Sequence, residues 1–300
     1  MNPQPPVDGP RVSIGMPVFN GGQFLRTALD SLLGQSFSSF ELIISDNCSD
    51  DQTGAICKAY LRKDSRIRYI RQRENLGAIR NFWYVLEQAT GDYFMWVAAD
   101  DRWDRMYIEK CVECLDLNAN VGLAFSGFVV VSRLFPFLKL ERFPDFTFMQ
   151  DDDPVQRVTN FIEAELVSHK ANAIYGLWRR VVLREVQLRL SRMEDRDVVA
   201  GFDIALLLLA LAKEKFFQIR EPLFVKTYRR IPAGHWLDVL AMSVRMRIDL
   251  RFRNQECARH RRHYVLLQET LQKAGFDPGD FRSVIENKLA LIEALKVWRI

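Results

Sequence analysis

Tyr93-Phe94-Met95-Trp96-Val97-Ala98-Ala99-Asp100-Asp101 is the stretch that decides the fold. An aromatic and aliphatic run, too short for a helix of its own, ends abruptly in two adjacent carboxylates. Bounded by Gly91-Asp92 before it and the acids after it, the run reads as a buried strand. Acids at the carboxyl end of such a strand sit where open α/β sheets gather their ligands. Paired carboxylates there suit a hard divalent cation such as Mg²⁺ or Mn²⁺, commonly shared with a substrate phosphate. The same pair also suits an Asx turn that opens the next helix. On these nine residues alone the two readings stand level.

Working outward, strand and helix patterns alternate on both sides. Val12–Val18 reads as a first strand, the turn Asn20-Gly21-Gly22 follows, and Phe24, Ala28, Leu29, Leu32 and Leu33 recur at helical spacing. A second strand over 40–44 leads into the polar loop 45–53, then a helix over 54–61 and a short strand over 67–70. Asn75-Leu76-Gly77 opens a helix over 78–88, and after the decisive strand come a helix over 105–117 and a strand over 121–131. This alternation, with a period of roughly 25–30 residues, is the rhythm of βαβ units, so the expected fold is α/β, a mostly parallel mixed sheet flanked by helices. Polar loops near Phe19-Asn20, near Asp46-Asn47 and near Asp100-Asp101 should then converge on one edge. That convergence favours the cation-binding reading of the acids.

Beyond 131 the pattern breaks. Pro136, Pro144, Pro154 and the acidic run Asp151-Asp152-Asp153 predict a variable surface excursion. Helices are expected over 155–167, 180–189 and 204–213, strands over 216–219 and 223–228, and two or more amphipathic helices from 236 to 300. The 300 residues suffice for one large domain or two associated ones. A net charge of +4 is too weak to argue for nucleic acid. Five cysteines, an odd number, suggest no disulfide framework. Cys111 and Cys114, one helical turn apart with no second pair, read as buried thiols. The start, 1–6, lacks a signal-peptide pattern, and the most apolar later run, 204–212, is about half of a bilayer span. The expectation is a soluble or peripheral protein that stays in the cytoplasm.

With these elements in place the chain resembles the family 2 glycosyltransferases of the GT-A fold, which transfer sugars from nucleotide-sugars. The resemblance rests on Val12–Asn20, on Ser45-Asp46-Asn47-Cys48-Ser49-Asp50-Asp51-Gln52-Thr53, on Asn75-Leu76-Gly77, on Gly91-Asp92-Tyr93 and on Ala99-Asp100-Asp101. It covers 12–130 strongly and reaches more loosely to Arg230. It implies a nucleotide-sugar-binding half over 12–130, an acceptor-binding half of the same domain over 131–230, and a helical extension over 231–300, after a disordered start at 1–11.

The resemblance also implies roles. Pro17, Phe19 and Asn20 would line the nucleotide pocket, with Phe19 stacking on the base. Asp46 would accept a hydrogen bond from a ring N–H of the base, or else cap the loop that follows it, with Asn47 beside it, although Ser45 stands where many relatives carry a further acid. Asp51 would support this loop, and Arg80 could reach a phosphate or simply face solvent. Asp101 would be the direct metal ligand, and Asp100 would touch ribose or a metal-bound water. The general base would be Asp203, after Gly201-Phe202 at the start of a helix, with Glu194, Asp195 and Asp197 as competitors and a plain helix cap as its alternative. Tyr175-Gly176-Leu177-Trp178 could line the acceptor groove or simply pack in the core. His235 could meet the metal or the diphosphate, and Arg229 and Arg230 the phosphates, or all three could be surface residues.

The function so implied is inverting transfer from a nucleoside-diphosphate sugar to a hydroxyl on a glycan or lipid-linked acceptor, in surface polysaccharide or glycolipid assembly. The partners exclude nucleic acid. The arginine-rich stretch 245–262 could rest on an anionic membrane, with packing on the catalytic domain favoured over it. A nicotinamide dehydrogenase would need G-x-G-x-x-G after the first strand, and Pro17-Val18-Phe19-Asn20-Gly21-Gly22 lacks it. A sugar-nucleotide pyrophosphorylase would need a glycine-rich, Arg- or Lys-bearing phosphate loop there, also absent. The alternative kept is a catalytically degenerate binding or scaffold subunit.

Overall fold

The computed structural model describes residues 9–132, 139–142, 146–164, 170–190 and 202–228, together with positions 272, 277, 279, 282, 285 and 286. Expectations for 1–8, Glu194, Asp195, Asp197, Gly201, Arg229, Arg230, His235 and most of the tail lie outside these residues.

Among the described residues nine strands form one sheet. Strands β1 (Val12–Val18), β2 (Phe40–Asp46), β3 (Ile67–Arg71) and β4 (Tyr93–Trp96) pair in parallel in the order β3-β2-β1-β4. Helices α1 (Leu25–Leu33), α2 (Thr53–Leu61) and α3 (Ala78–Glu87) connect them. The second half adds β5 (Arg102–Trp103), α4 (Tyr107–Leu117), β6 (Val121–Ser132), β7 (Lys139–Arg142), α5 (Pro154–Glu163), β8 (Leu177–Arg179), α6 (Arg180–Leu190), α7 (Phe202–Leu211) and β9 (Lys215–Tyr228). The sheet continues β4-β8-β6-β9-β5, with β7 on β6; β8 is antiparallel to both neighbours, while β6 and β9 run parallel.

Strands β1, β2 and β4 are buried on both faces, so their two-residue period sorts side chains into two cores. On β4, Phe94 and Trp96 pack with Val85 and Leu86 of α3 and with α5, α6 and α7. Tyr93 and Met95 face the other way and join Ile14 and Met16 of β1, α1, α2 and α4. Gly15 lets α3 lie close on β1, because a Cβ there would come within 2.7 Å of Val85 Cγ2 and 2.6 Å of Phe94 Cζ. Cys111 and Cys114 lie on the buried side of α4, as packing residues.

The β8–α6 junction ties both layers together. Arg179 donates to the carbonyls of Leu115 and Asn118 at the end of α4 and of Val121 at the start of β6, at 2.6, 3.1 and 2.9 Å. Arg180 donates to the carbonyls of Ala89, Thr90 and Gly91, and Arg184 to those of Leu86 and Glu87, at the end of α3. Cations at helix carboxyl termini satisfy orphan carbonyls and oppose the helix dipole.

Four elements differ from the sequence expectation. The strands expected at 216–219 and 223–228 are one strand, β9, which passes Pro222 by shifting register against β6 around Gly127. Strands β5, β7 and β8 were not expected, being two to four residues long. Among the described residues no helix is long and apolar enough to cross a membrane.

Candidate functional site

Strand order reverses between β1 and β4: β2 lies on one side of β1 and β4 on the other, and the chain leaves both at their carboxyl ends. A cleft of about 670 Å³ opens there. Pro17, Val18, Phe19, Asn20, Gly21, Gln23 and Phe24 line it from the β1 side, Ala98, Ala99 and Asp100 from the β4 side, Asp51 from the loop after β2, and Lys226 and Thr227 from β9. Gly21 lets the β1 and β4 loops meet, since a Cβ there would sit 2.6 Å from Val18 Cγ2 and 3.2 Å from Ala99 Cβ.

The β1 loop is held by the β2 loop. Asn20, at φ +52°, donates from its backbone to Ser49 Oγ at 2.9 Å and accepts from the Asp50 N–H at 3.0 Å. The Gly21 N–H donates to Thr53 Oγ1 and the Gly22 N–H to Asp51, each at 2.9 Å. Burial pulls the Asp51 carboxyl upward, but donors from Thr53 and Gly22 outweigh it and hold the group below its ordinary value. Phe19, anchored by this scaffold, leaves about half of its surface exposed in the cleft.

Asp46 and Asn47 lie beneath the loop and are not among the lining residues. Asp46 is fully buried and accepts from the Ser49 N–H at 2.8 Å, Tyr69 Oη at 2.7 Å and Arg71 Nη1 at 3.2 Å. Asn47 accepts from the Leu76 N–H and donates to Asn75 Oδ1, both at 2.8 Å, so it fastens the turn before α3. Arg80 is exposed on α3 and does not line the cleft.

The two acids after β4 part company. Asp100 lines the cleft; Asp101 is fully buried behind it. Asp101 Oδ2 accepts from Lys226 Nζ at 2.8 Å and Oδ1 from the Thr227 N–H at 2.9 Å. Burial pushes the Asp101 carboxyl up to about 6, with the Lys226 ammonium pulling the other way. Burial alone would lower Lys226, but Tyr175 and Asp101 raise it above its ordinary value. The two therefore form an ion pair at neutral pH. Lys226 and Thr227 were missed in the sequence; the available signal was a lysine inside an aromatic strand, two residues after buried Phe224, which requires an acid partner.

Asp203 lies in the first turn of α7 and is not among the lining residues. Its carboxylate accepts from the Ile204 N–H at 2.9 Å, and burial raises its pKa above the ordinary value despite that bond. Phe202 beside it packs edge-on against Phe82 and Trp83, and both of these pack on Trp96 at the end of β4. Of the Tyr175–Trp178 segment, Trp178 is fully buried core and donates to the Ile174 carbonyl at 3.0 Å, while Tyr175 presents its ring to Lys226.

The donor set fits a hard divalent cation. Among the described residues no three His, Cys, Asp or Glu side chains gather as a metal cage. Asp100 is a carboxylate at the cleft wall, and one carboxylate completed by substrate phosphate oxygens is an ordinary Mg²⁺ arrangement. Asp101, fully buried and bonded to Lys226 and the Thr227 N–H, lies behind the cleft wall and not on it.

Residues 13–164 match the family model for glycosyl transferase family 2. TuaG of Bacillus subtilis, a glycosyltransferase assigned to teichuronic acid biosynthesis, is 32% identical over 124 residues, 41% of this chain and 49% of TuaG. The chain thus spans about half the length of that curated relative. Among solved structures, S. aureus TarS 1–349 in complex with UDP-GlcNAc superposes with a TM-score of 0.56 at 14% identity, over 95% of this chain and 81% of that one. The mannosyltransferase PcManGT from Pyrobaculum calidifontis, in complex with GDP-Man and Mn²⁺, gives 0.55 at 16% identity, over 97% and 75%. These likenesses establish the GT-A fold, and with the family match over half the sequence the chain belongs to glycosyl transferase family 2.

Proposed function

We propose that the protein transfers a sugar from a nucleoside-diphosphate sugar to an acceptor hydroxyl, with inversion at the anomeric carbon. The observation that carries the reading is that exposed Phe19 and the Asp100 carboxylate share one cleft at the carboxyl ends of β1 and β4. Phe19 offers a face for the base and Asn20 a polar rim, on a loop pre-organised by Ser49, Asp51 and Thr53. Asp46 and Asn47 keep that loop in place.

Asp100, rather than Asp101, would hold Mg²⁺ or Mn²⁺ together with the donor's phosphate oxygens. When bound, the cation offsets negative charge on the departing diphosphate. Asp203, its basicity raised by burial, would accept the proton of the acceptor hydroxyl as that oxygen attacks. A single displacement inverts the configuration, so an α-linked donor gives a β-linked product. The nucleotide half would be 12–130, the acceptor half 131–230, and the tail 231–300 an extension able to meet an anionic membrane face. TuaG's assignment supports a glycan or lipid-linked acceptor in surface polysaccharide assembly.

The test is thermal shift of the full chain with UDP, GDP and dTDP, each with Mn²⁺ and with EDTA, followed by release of the preferred diphosphate from its sugar donors. One diphosphate should stabilise the protein, and more strongly with Mn²⁺. No shift with any of the three refutes the reading. Binding without slow donor hydrolysis or transfer would favour a degenerate, binding-only subunit.

A further inference from the structure

The two-residue strand β5 has no core of its own, yet it aligns two chain segments far apart in sequence. It pairs antiparallel with β9, Arg102 opposite Val225 and Trp103 opposite Phe224. Continuing that register by one residue sets Asp101 opposite Lys226, and by two sets Asp100 opposite Thr227. The Asp101–Lys226 pair and the bond from the Thr227 N–H to Asp101 follow from this register. Trp103 and Phe224, stacked at 5.5 Å between centroids, pin it from the buried side.

Lys226 is held from two directions. Asp101 Oδ2 lies 2.8 Å from Nζ, and the Tyr175 ring centroid lies 4.3 Å from it. The side chain is 12% exposed, and that exposed part borders the cleft beside Asp100. Among the described residues that line the cleft, Lys226 carries the only positive charge, against the acids Asp51 and Asp100. A cleft that admits a diphosphate carrying about three negative charges needs more than one carboxylate-bound divalent cation to balance it. An ammonium has three donors, so it can meet a phosphate oxygen while keeping Asp101.

We propose that Lys226 is a diphosphate-binding residue: a built-in cation, aimed by Asp101 and Tyr175, that meets the donor's phosphates independently of the divalent metal. The proposal rests on the nucleotide-sugar reading given above and adds to it the source of metal-independent affinity. Lys226 reaches the phosphates rather than the base, so it separates diphosphate from monophosphate. The competing role is purely internal, a counter-ion that neutralises buried Asp101. Removing Lys226 alone would strand that carboxylate and harm folding in either case.

The decisive comparison is therefore between Asp101→Asn and the charge-neutral double variant Asp101→Asn/Lys226→Met, both as full chains with melting confirmed. Calorimetry in EDTA measures UDP, GDP and dTDP against their monophosphates. Relative to Asp101→Asn, the double variant should lose its preference for the tighter-binding diphosphate over the corresponding monophosphate by roughly tenfold, the scale of one charge-assisted hydrogen bond. Lys226→Arg should retain most of the preference. If the double variant keeps the preference of Asp101→Asn, Lys226 is only a counter-ion and the inference is overturned, while Mn²⁺-dependent binding lost in Asp100→Ala leaves the nucleotide reading standing. If the wild type binds a diphosphate only with Mn²⁺ the inference is overturned, and if it binds none with or without Mn²⁺ both fall together.

Discussion

Replacing Asp46 separates a scaffold from a base-reading group. Its carboxylate is fully buried and serves the Ser49 N–H, the Tyr69 hydroxyl and Arg71. In Asp46→Ala the first two donors lose their acceptor, at a cost of about 1–3 kcal/mol each. The Arg71 side chain is 45% exposed, so its head returns to water and the loss of its solvent-screened ion pair adds little. The sum is about 4 kcal/mol, which for a chain of this size lowers the melting temperature by about 6 °C. Asp46→Asn keeps an acceptor for Ser49, and Tyr69 can turn to accept from the new amide, so its cost falls to about 1 kcal/mol and about 2 °C. Differential scanning calorimetry gives the melting temperatures, and nucleotide titration well below them gives affinity. A scaffold role predicts that Asp46→Asn retains diphosphate affinity within about threefold, a change of under 1 kcal/mol. The reasoning is refuted if Asp46→Asn loses affinity tenfold or more at an unchanged melting temperature.

Asp203→Asn should abolish transfer while nucleotide affinity stays nearly intact, as read by product formation and calorimetry; unchanged turnover would clear Asp203 of the role. Because burial raises its pKa, the acid limb of the transfer rate should lie above the ordinary aspartate range, with rate rising as pH climbs through it, and a limb near pH 4 would contradict this. Asp100→Ala should weaken nucleotide binding in Mn²⁺ far more than in EDTA. Burial would raise Glu41, but donors from Thr90, Arg68 and Ser13 outweigh it and hold the carboxyl below its ordinary value. Its stabilisation is therefore full above the unfolded value near 4.3 and is lost as pH falls through the lower folded one, so Glu41→Gln should flatten the stability curve below about pH 4.5.

The parallel half of the sheet was readable because each strand there is an apolar run closed by a turn, and each helix repeats apolar residues along one face. Strands β5 and β8 escaped because two or three residues show no period; each exists through its neighbours, β5 through β9 and β8 through β4 and β6. Tyr175–Trp178, open in the sequence between groove lining and packing, holds the start of β8, and Trp178 fills the core. Pro222 suggested a break, and the sheet absorbed it in a register shift instead. At the site, the loops after β1 and β4 were legible as ligand-bearing from their place at strand ends. Which of two adjacent acids turns toward the cleft was not, since that depends on Lys226, 125 residues away in sequence. Asp46 has the chemistry of a base contact, and only tertiary packing, Tyr69 and Arg71 included, shows how its oxygens are used.

The neighbouring arginines at the β8–α6 junction grip helices that cover opposite sides of the sheet, Arg179 the end of α4 and Arg180 with Arg184 the end of α3. Loosening either layer strains the same short segment, so neither can come away while the other stays intact. Heat or denaturant should meet the described body as one cooperative unit, with Trp96 in one layer and Tyr107 in the other losing their native signals at the same midpoint.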